Sequence, residues 1–297
     1  MKAPSYDSTT ALVFGGTPQD ESAYDAATAV VLPVPFERTT CYVAGTRNGP
    51  REILLASSQM ELWDEETGTS AADIAVYTLP EMALPFGTLE QALEEIRRVA
   101  GEIVAAGKFP IALGGEHSVT LPLVEAVATR CPGLSVLQID AHADLRDAYM
   151  GNPFSHACVM RRVVEKVRAT QVGIRSLSED EARAVDSLKT TIFYDAHMRN
   201  DPAWIDRVVE SLGDSVYVTI DCDGFDPAIM PAVGTPEPGG LTWQEGLTLL
   251  RKVFAARRVV ACDVVELSPL PGIVAPNVLC ARLVYKLLTY WMRGGRR

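Results

Sequence analysis

Histidine is scarce and cysteine is unpaired in this sequence: the 297 residues include four histidines, and none of the six cysteines belongs to a CxxC pair. Several cysteines lie inside apolar runs, so we expect reduced, buried thiols. No apolar run is long enough to cross a membrane, and the N-terminus has no apolar stretch of signal-peptide length. These absences disfavour a disulfide framework and predict a cytoplasmic protein without a membrane anchor.

Positive charge is also in short supply. Lys and Arg total 27 against 38 Asp and Glu, which gives a net charge of −11. Because an acidic surface repels phosphates, this composition disfavours nucleic acid as a partner and favours small cationic molecules. Apolar residues make up 47% of the chain, which is typical of a globular protein.

Short apolar runs rich in β-branched residues alternate with helix-length segments along the chain. Eight such runs are present: Thr28–Leu32, Ala75–Thr78, Pro110–Leu113, Leu134–Ile139, Gln171–Ile174, Thr191–Tyr194, Ser215–Ile220 and Arg258–Val264. Most lack polar alternation, which is typical of parallel strands buried on both faces. The alternation predicts a doubly wound α/β fold. In the absence of a linker or repeat we expect one domain, residues 1–297, with an irregular stretch at 1–27.

Start signals mark four of the helix-length segments. Three have the capping-box pattern, in which a hydroxyl residue is followed three positions later by Glu or Gln: Thr88 with Gln91, Ser178 with Glu181, and Thr242 with Glu245. Asp201 followed by Pro202 predicts an N-cap with proline at the first helical position.

Ligand-type side chains follow four of the predicted strands. These residues are Glu116 and His117; Asp140, His142 and Asp144; Asp221 and Asp223; and Glu266. In an extended chain, residues two apart point to the same side, so Asp140, His142 and Asp144 converge. Because ligands bind beyond the carboxyl ends of parallel strands, we expect all four groups in one cleft.

Two imidazoles and four carboxylates in one cleft require cations, because like charges repel strongly at low dielectric. Mixed nitrogen and oxygen ligands of this charge suit Mn²⁺ or a similar divalent ion. Two ions are expected, since Asp140 and Asp221 could each bridge. Each motif alone is weak, because a DxHxD triplet also suits a solvated strand end and a lone histidine is often a core residue. Four motifs on successive strand ends carry the prediction together.

A second DAH triplet tests the specificity of this pattern. Asp195 and His197 repeat the first two ligands after an apolar run, but Arg199 stands where a third acid is needed. We therefore interpret this triplet as structural, in a loop that leads into a helix.

The motifs together resemble those of the ureohydrolases, the arginase and agmatinase family. They are GGEHS (114–118), DAHAD (140–144), SHACVMRR (155–162), DCDGFDP (221–227), GTPEPGG (234–240) and DVVELSP (263–269). The resemblance covers nearly the whole chain in the order of the family. It implies a three-layer α/β/α arginase-like fold with a mostly parallel eight-stranded sheet, two Mn²⁺ ions per subunit, and assembly into homo-trimers or homo-hexamers. Glu116 is a departure, because the family most often has aspartate there.

The resemblance also implies a role for each site residue. One ion would be held by His117, Asp140, Asp144 and Asp221, and the other by His142, Asp140, Asp221 and Asp223. Asp144 would also orient the nucleophile. Glu266 would bind the guanidinium N–H groups, and His156 would shuttle the proton to the leaving amine. Asn152 is a further candidate substrate contact.

The implied reaction is hydrolysis of agmatine to urea and putrescine by a hydroxide that bridges two metal ions. Arginine is disfavoured, because Arg146 stands where arginases typically have the asparagine that reads the amino-acid end. Guanidinobutyrate, guanidinopropionate and aminopropylagmatine stay open as substrates. Two other classes are considered, a deacetylase-like amidohydrolase with one zinc and a non-catalytic binding homologue with no metal. A count of bound ions separates the three.

Overall fold

A single all-parallel sheet of eight strands runs through the molecule. The computed structural model describes residues 2–7, 12–20, 22–70 and 73–295. In chain order the strands are β1 (Ala29–Val34), β2 (Trp63–Asp64), β3 (Thr69–Ser70), β4 (Val76–Thr78), β5 (Phe109–Gly114), β6 (Ser135–Ile139), β7 (Arg168–Ile174), β8 (Thr190–Tyr194), β9 (Ser215–Asp221) and β10 (Arg258–Val265). Their order across the large sheet is β4-β1-β5-β10-β9-β6-β7-β8. Every neighbouring pair is parallel.

Each of the eight predicted runs overlaps one strand of the large sheet, so the predicted α/β fold is confirmed. The antiparallel pair of β2 and β3 was not predicted. Each of these strands has two residues, which is too short for a period-two pattern to be recognised. Within the stretch predicted as irregular, a short helix spans Ser22–Ala26, and its Tyr24 is buried in the core.

Helices cover both faces of the sheet and give three layers. The α-helices are α1 (Ser22–Ala26), α2 (Gly49–Ser57), α3 (Leu89–Ala105), α4 (Thr120–Ala128), α5 (Val159–Lys166), α6 (Glu179–Ala184), α7 (Asp195–Met198), α8 (Trp204–Ser211), α9 (Trp243–Ala256) and α10 (Ala275–Tyr290). Alternate strand residues enter opposite cores: Val31 belongs to the core that includes residues of α2, α8, α9 and α10, whereas Val30 belongs to the core that includes residues of α3, α4 and α5. This two-sided burial explains the continuous apolar runs of the strands. Within the described ranges, no helix is long and apolar enough to cross a bilayer.

The helix start signals are confirmed at three positions and wrong at one. Thr88, Ser178 and Thr242 each form a complete capping box. The N-cap predicted at Asp201 is wrong, because α8 begins at Trp204 after Ala203. Asp201 instead accepts a hydrogen bond from the backbone N–H of Ala203 at 3.0 Å. A side-chain bond to the residue two positions on is an Asx turn, so the proline lies in a turn before the helix.

The strand order places the predicted ligands together. The four strands that precede them, β5, β10, β9 and β6, are consecutive neighbours in the middle of the sheet. Since the strands are parallel, their carboxyl ends lie at one edge, and His117, Asp140, Asp221 and Glu266 follow these ends.

Candidate metal centre

His117 lies at the centre of a first group of carboxylates. It begins a short 3₁₀ turn just after β5, and its side chain is 1% exposed. Its Nδ1 is 3.0 Å from Asp140 Oδ2, 3.1 Å from Asp144 Oδ2 and 3.3 Å from Asp221 Oδ2. The DAHAD segment therefore brings Asp140 and Asp144 to His117, although Asp144 has a φ of +52° and is not extended as predicted.

His142 forms a second group beside the first. Its Nδ1 is 3.0 Å from Asp223 Oδ2 and 3.7 Å from Asp140 Oδ1. Asp140 thus presents one carboxylate oxygen to each imidazole, which is the arrangement of a ligand that bridges two ions. For Asp221 the measured contact is with the first group, so bridging by Asp221 stays a prediction.

A hydrogen-bond chain behind His117 fixes its tautomer. The Thr219 hydroxyl donates its proton to Asp263 Oδ1 at 2.6 Å. Thr219 Oγ1 therefore acts as the acceptor for His117 Nε2–H at 2.9 Å. With the ring proton on Nε2, Nδ1 presents a lone pair to the three carboxylates. His117 Nδ1 is accordingly a buried polar atom without a hydrogen-bond partner. An acceptor facing three acceptors is stable only with a cation or a proton between them.

The pKa directions of the carboxylates point to the same requirement. Burial, together with the charges of Asp223 and Asp140, raises the pKa of Asp221 well above its usual value. Burial and the Asp140 charge raise that of Asp144. Burial opposes a charged imidazole, yet Asp223 and Asp140 raise the pKa of His142 to about 12. Burial opposes the charge of Asp140, but hydrogen bonds from His117 and His142 lower its pKa. The raised pKa values of Asp221 and Asp144 reflect the cost of concentrated negative charge, and the raised pKa of His142 reflects the attraction of that charge for a cation. Divalent cations relieve the cost. This nitrogen and oxygen donor set fits two such ions.

Glu266 and Asp144 are held in a strained backbone conformation. Their φ angles are +63° and +52°, in the left-handed region that non-glycine residues rarely adopt. Such strain persists where surrounding contacts enforce it, and it concentrates at functional sites. Glu266 Oε1 accepts from the backbone N–H of His117 at 2.7 Å, which ties the acid to the first group. Burial and the Glu116 charge raise the pKa of Glu266 well above its usual value.

His156 faces the same cleft and is held by Thr39. The Thr39 hydroxyl donates to Glu116 Oε1 at 2.7 Å, and Thr39 Oγ1 lies 3.1 Å from His156 Nδ1. Because the hydroxyl proton is directed to the carboxylate, Thr39 accepts from Nδ1–H, and Nε2 faces Cys41 Sγ at 3.7 Å. Ser155 precedes a 3₁₀ turn at His156–Cys158 without a side-chain cap, and α5 follows at Val159.

A cavity of about 230 Å³ opens onto both groups of carboxylates. His117, His142, Asp144, Asp221, Asp223, His156 and Glu266 line its inner part, and Cys41, Tyr42, Arg146 and Tyr149 line it further out. Asn152 is absent from the described residues that line this cavity, and its Oδ1 accepts from Phe154 N at 2.8 Å. A substrate contact by Asn152 stays a prediction.

The second DAH triplet lies within α7, where Asp195 pairs with Arg199 at 2.9 Å.

Several supporting residues were missed from the sequence. They are Thr39, Gln138, Gln171, Thr219 and Asp263. Three of them, Gln138, Gln171 and Thr219, are buried polar residues inside strands that are mostly apolar. A buried polar side chain needs a partner, so this exception to the apolar pattern was the available signal. Thr39 lies in an N-terminal loop and gave no such signal.

Comparison with known proteins agrees with the geometry. The family model described as "Arginase family" matches residues 27–289. N(1)-aminopropylagmatine ureohydrolase of Synechocystis sp. is 41% identical over 285 residues, 93% of each chain. Agmatinase of Halalkalibacterium halodurans is 32% identical, covering 91% of this chain and 94% of its own. The crystal structure of agmatine ureohydrolase of Thermoplasma volcanium has a TM-score of 0.81 at 32% identity, covering 91% of this chain and 92% of that one.

Proposed function

Because the chain belongs to the arginase family and is a guanidino ureohydrolase, we propose that it uses two Mn²⁺ ions and hydrolyses a cationic guanidino amine to urea and a polyamine. The observation that carries the proposal is the pair of imidazoles that share Asp140 in one cavity with Glu266. His117, Asp140, Asp144 and Asp221 would hold one ion, and His142, Asp140, Asp221 and Asp223 the other. Mn²⁺ suits this donor set.

Bound divalent ions lower the pKa of water and so supply a nucleophile at neutral pH. Asp144 is placed to orient that nucleophile from its position beside His117 Nδ1. Glu266 lines the cavity, and a carboxylate accepts the forked N–H groups of a guanidinium well. This contact would hold the guanidinium carbon beside the two ligand groups, which line the same cavity. The leaving amine needs a proton, which His156 would deliver from Nε2, because Nδ1–H is held by Thr39.

N1-aminopropylagmatine is the proposed substrate, because the 41% identical relative is named for it. Agmatine, the substrate predicted from the motifs, is the second candidate, because the H. halodurans relative and the Thermoplasma structure are named for it. Tyr42 lines the cavity and is 78% exposed, so it marks the mouth of the cavity. The long tail of a substrate can therefore extend through this opening toward solvent. The net charge of −11 attracts a polycation of either length.

Urea release with added Mn²⁺ tests the reaction and the substrate together. Aminopropylagmatine, agmatine, arginine, guanidinobutyrate and guanidinopropionate are compared by kcat/KM, with bound metal counted in the same preparation. We expect two Mn²⁺ per chain and the highest kcat/KM for aminopropylagmatine. A higher kcat/KM for agmatine would make agmatine the substrate and would not change the proposed reaction. No urea from any of the five, with two ions bound, would contradict the proposed substrate class.

Two substitutions test the assigned residues. Asp223→Ala removes the carboxylate nearest His142 Nδ1, so bound metal and activity should be lost together. Glu266→Gln keeps the bond to His117 N but replaces the guanidinium acceptor, so two ions should stay bound while kcat/KM falls. Full activity in Asp223→Ala would contradict the dinuclear site. Asp195→Asn, in the second DAH triplet, is the matched control, and we expect it to keep both ions.

Location and assembly are proposed separately from the chemistry. Six free cysteines suit a reducing compartment, which supports a cytoplasmic location. A homo-trimer or homo-hexamer is proposed from the resemblance to the family, and light scattering on the purified protein measures the assembly. A monomer at micromolar concentration would contradict it.

A further inference from the structure

Two glutamines are buried side by side in the middle of the sheet, on strands that are mostly apolar. Gln138 on β6 and Gln171 on β7 are paired in register, and both are 0% exposed. Gln138 Nε2 donates to Asp140 Oδ2 at 2.6 Å. Gln171 Nε2 donates to Gln138 Oε1 at 2.5 Å, and the Thr190 hydroxyl on β8 donates to Gln171 Oε1 at 2.8 Å. One hydrogen-bonded chain therefore crosses three strands and ends on the shared carboxylate.

The charge of Asp140 sets the direction of the whole chain of bonds. A carboxylate only accepts, so Gln138 must present its NH₂ group to Asp140 and its carbonyl oxygen to Gln171. Gln171 must then present its own NH₂ group to Gln138, and its carbonyl oxygen faces the Thr190 hydroxyl. The opposite orientation of either amide would place two acceptors together. The side chains thus admit one arrangement, in which every bond points toward Asp140.

The second N–H of each amide holds the segment that carries His142. Gln138 Nε2 lies 3.4 Å from the carbonyl oxygen of His142, and Gln171 Nε2 donates to that of Ala143 at 2.7 Å. The two glutamines therefore hold both the Asp140 carboxylate and the backbone from which His142 projects. All four amide N–H groups are used, as expected of a buried network that specifies one geometry.

We infer that Gln138, Gln171 and Thr190 are positioning residues that hold Asp140 so that its two oxygens face the two imidazole groups. The inference rests on the proposed function, since it assigns these residues to the dinuclear centre. Asp140 Oδ2 faces His117 while it accepts from Gln138, and Asp140 Oδ1 faces His142. Asp140 Oδ1 also accepts from the backbone N–H of His142 at 2.6 Å, so without the amide this single bond orients the carboxylate and the position of Oδ2 is less well defined. Partners that orient metal ligands in this way typically change metal affinity about 10–100-fold when they are removed.

A graded series of substitutions tests the inference through metal binding alone. Gln138→Met has a similar volume and no donor, and we expect its affinity for Mn²⁺ to fall about 10–100-fold. Gln171→Met should cause a smaller loss, and Thr190→Val the smallest, because each lies one bond further from Asp140. Affinity is measured by calorimetric titration of the apo-protein with Mn²⁺. The spin coupling of the Mn²⁺ pair, measured by electron paramagnetic resonance at saturating metal, should weaken in Gln138→Met.

Thr170→Val is the matched control. Thr170 is adjacent to Gln171 on β7 and is buried, but its hydroxyl bonds to Ser211 at 2.8 Å on the other face of the sheet. The Thr170→Val substitution should lower the free energy of unfolding while leaving Mn²⁺ affinity and spin coupling unchanged. If wild type binds two ions and Gln138→Met binds them as tightly with the same coupling, the inference is wrong. If wild type binds no Mn²⁺ pair, the proposed function fails first. Should Gln138→Met not fold, unchanged affinity in both Gln171→Met and Thr190→Val would overturn the inference.

Discussion

Glu116 accepts a hydrogen bond from the Thr39 hydroxyl at 2.7 Å, although 77 positions separate the two residues in the chain. Its other oxygen accepts from the backbone N–H groups of Arg38 and Thr39, at 2.6 Å each. Thr39 in turn accepts from the backbone N–H of His156 at 3.0 Å. The acid beside the His117 ligand therefore fixes the loop that holds the proposed proton shuttle.

Replacement of Thr39 by valine should slow the reaction without loss of metal. The substitution keeps the shape but removes the hydroxyl nearest His156 Nδ1, at 3.1 Å, and leaves the Ser155 hydroxyl at 3.3 Å, so the ring is held less firmly. General acid catalysis by a positioned histidine contributes about 10²–10⁴-fold, and we expect Thr39→Val to lose about tenfold in kcat. Steady-state kinetics with a metal count on the same sample checks this. Thr129→Val, which loses a hydroxyl at the end of α4, should retain full kcat. Unchanged kcat in Thr39→Val would show that Thr39 does not orient the shuttle.

Replacement of Thr219 by valine should weaken the ion held by His117. Among the described residues, the Thr219 hydroxyl links His117 Nε2 to the buried Asp263, which also accepts from Tyr217 at 2.6 Å and Thr120 at 2.9 Å. Without it the ring tautomer is no longer fixed, and affinity for one of two ions should fall about 10–100-fold. Mn²⁺ titration should then resolve one tight and one weakened site. Two sites of wild-type affinity would contradict this role.

The fold was predictable because its signals are local and strong. Eight mostly apolar runs and three complete capping boxes mark strands and helices without tertiary information. The convergence of His117, Asp140 and Asp221 was predictable from strand ends, because parallel strands place those ends at one edge. The second DAH triplet lies within α7 and not in a loop before a helix, and its Asp195 pairs with Arg199.

The supporting bonds were not predictable, because they join residues far apart in sequence. Gln138 meets Gln171 only because β6 and β7 pair in one register, and a shift of one residue would turn the two side chains to opposite faces. Thr39 reaches Glu116 from a loop without a periodic pattern. Asn152 was chosen for its residue type near the ligands, and only the folded loop shows its Oδ1 bonded to Phe154 N.

Removal of the metal should destabilise the protein. The carboxylates around His117 and His142 would then face one another without a cation, at the cost that their shifted pKa values reflect. We expect chelation to lower Tm and added Mn²⁺ to restore it. Above the dissociation constant, each tenfold increase in free Mn²⁺ should add about 1.4 kcal/mol per site. Calorimetric melting across a Mn²⁺ series measures this. An identical Tm for apo- and metal-loaded protein would contradict a cation at these groups.

Lys286 on α10 should contribute to stability far from the site. Its Nζ is 2.8 Å from Asp64 Oδ2 and 3.0 Å from Glu66 Oε2, and the side chains of Lys286 and Asp64 are buried. Lys286→Met leaves a buried carboxylate without its partner, which should lower the free energy of unfolding by about 3 kcal/mol at pH 7. Urea unfolding of wild type and variant measures the difference.

The difference should depend on pH in a direction that the pKa shifts define. Burial opposes the charge of Asp64, but hydrogen bonds from Lys286 and Thr67 lower its pKa, so its stabilisation is present above its unfolded pKa of about 3.9 and is lost as the pH falls below. Asp64 and Glu66 raise the pKa of Lys286 against its burial, so its contribution is lost only as the pH rises above about 10.4. In Lys286→Met the hydrogen bond and charge of Lys286 are removed while the bonds from Thr67 stay, so the pKa of Asp64 rises and this carboxyl takes up a proton at a higher pH than in wild type. The deficit should therefore be largest near neutral pH and smaller at pH 4.5.

Lys252→Met is the control for charge removal at the surface. Lys252 pairs with Asp206 at 2.5 Å, but both side chains are exposed, so the loss should stay below about 1 kcal/mol and change little with pH. Equal losses in Lys252→Met and Lys286→Met would show that burial of the Lys286 cluster adds nothing. A deficit in Lys286→Met that grew toward pH 4.5 would reverse the sign argued from Asp64.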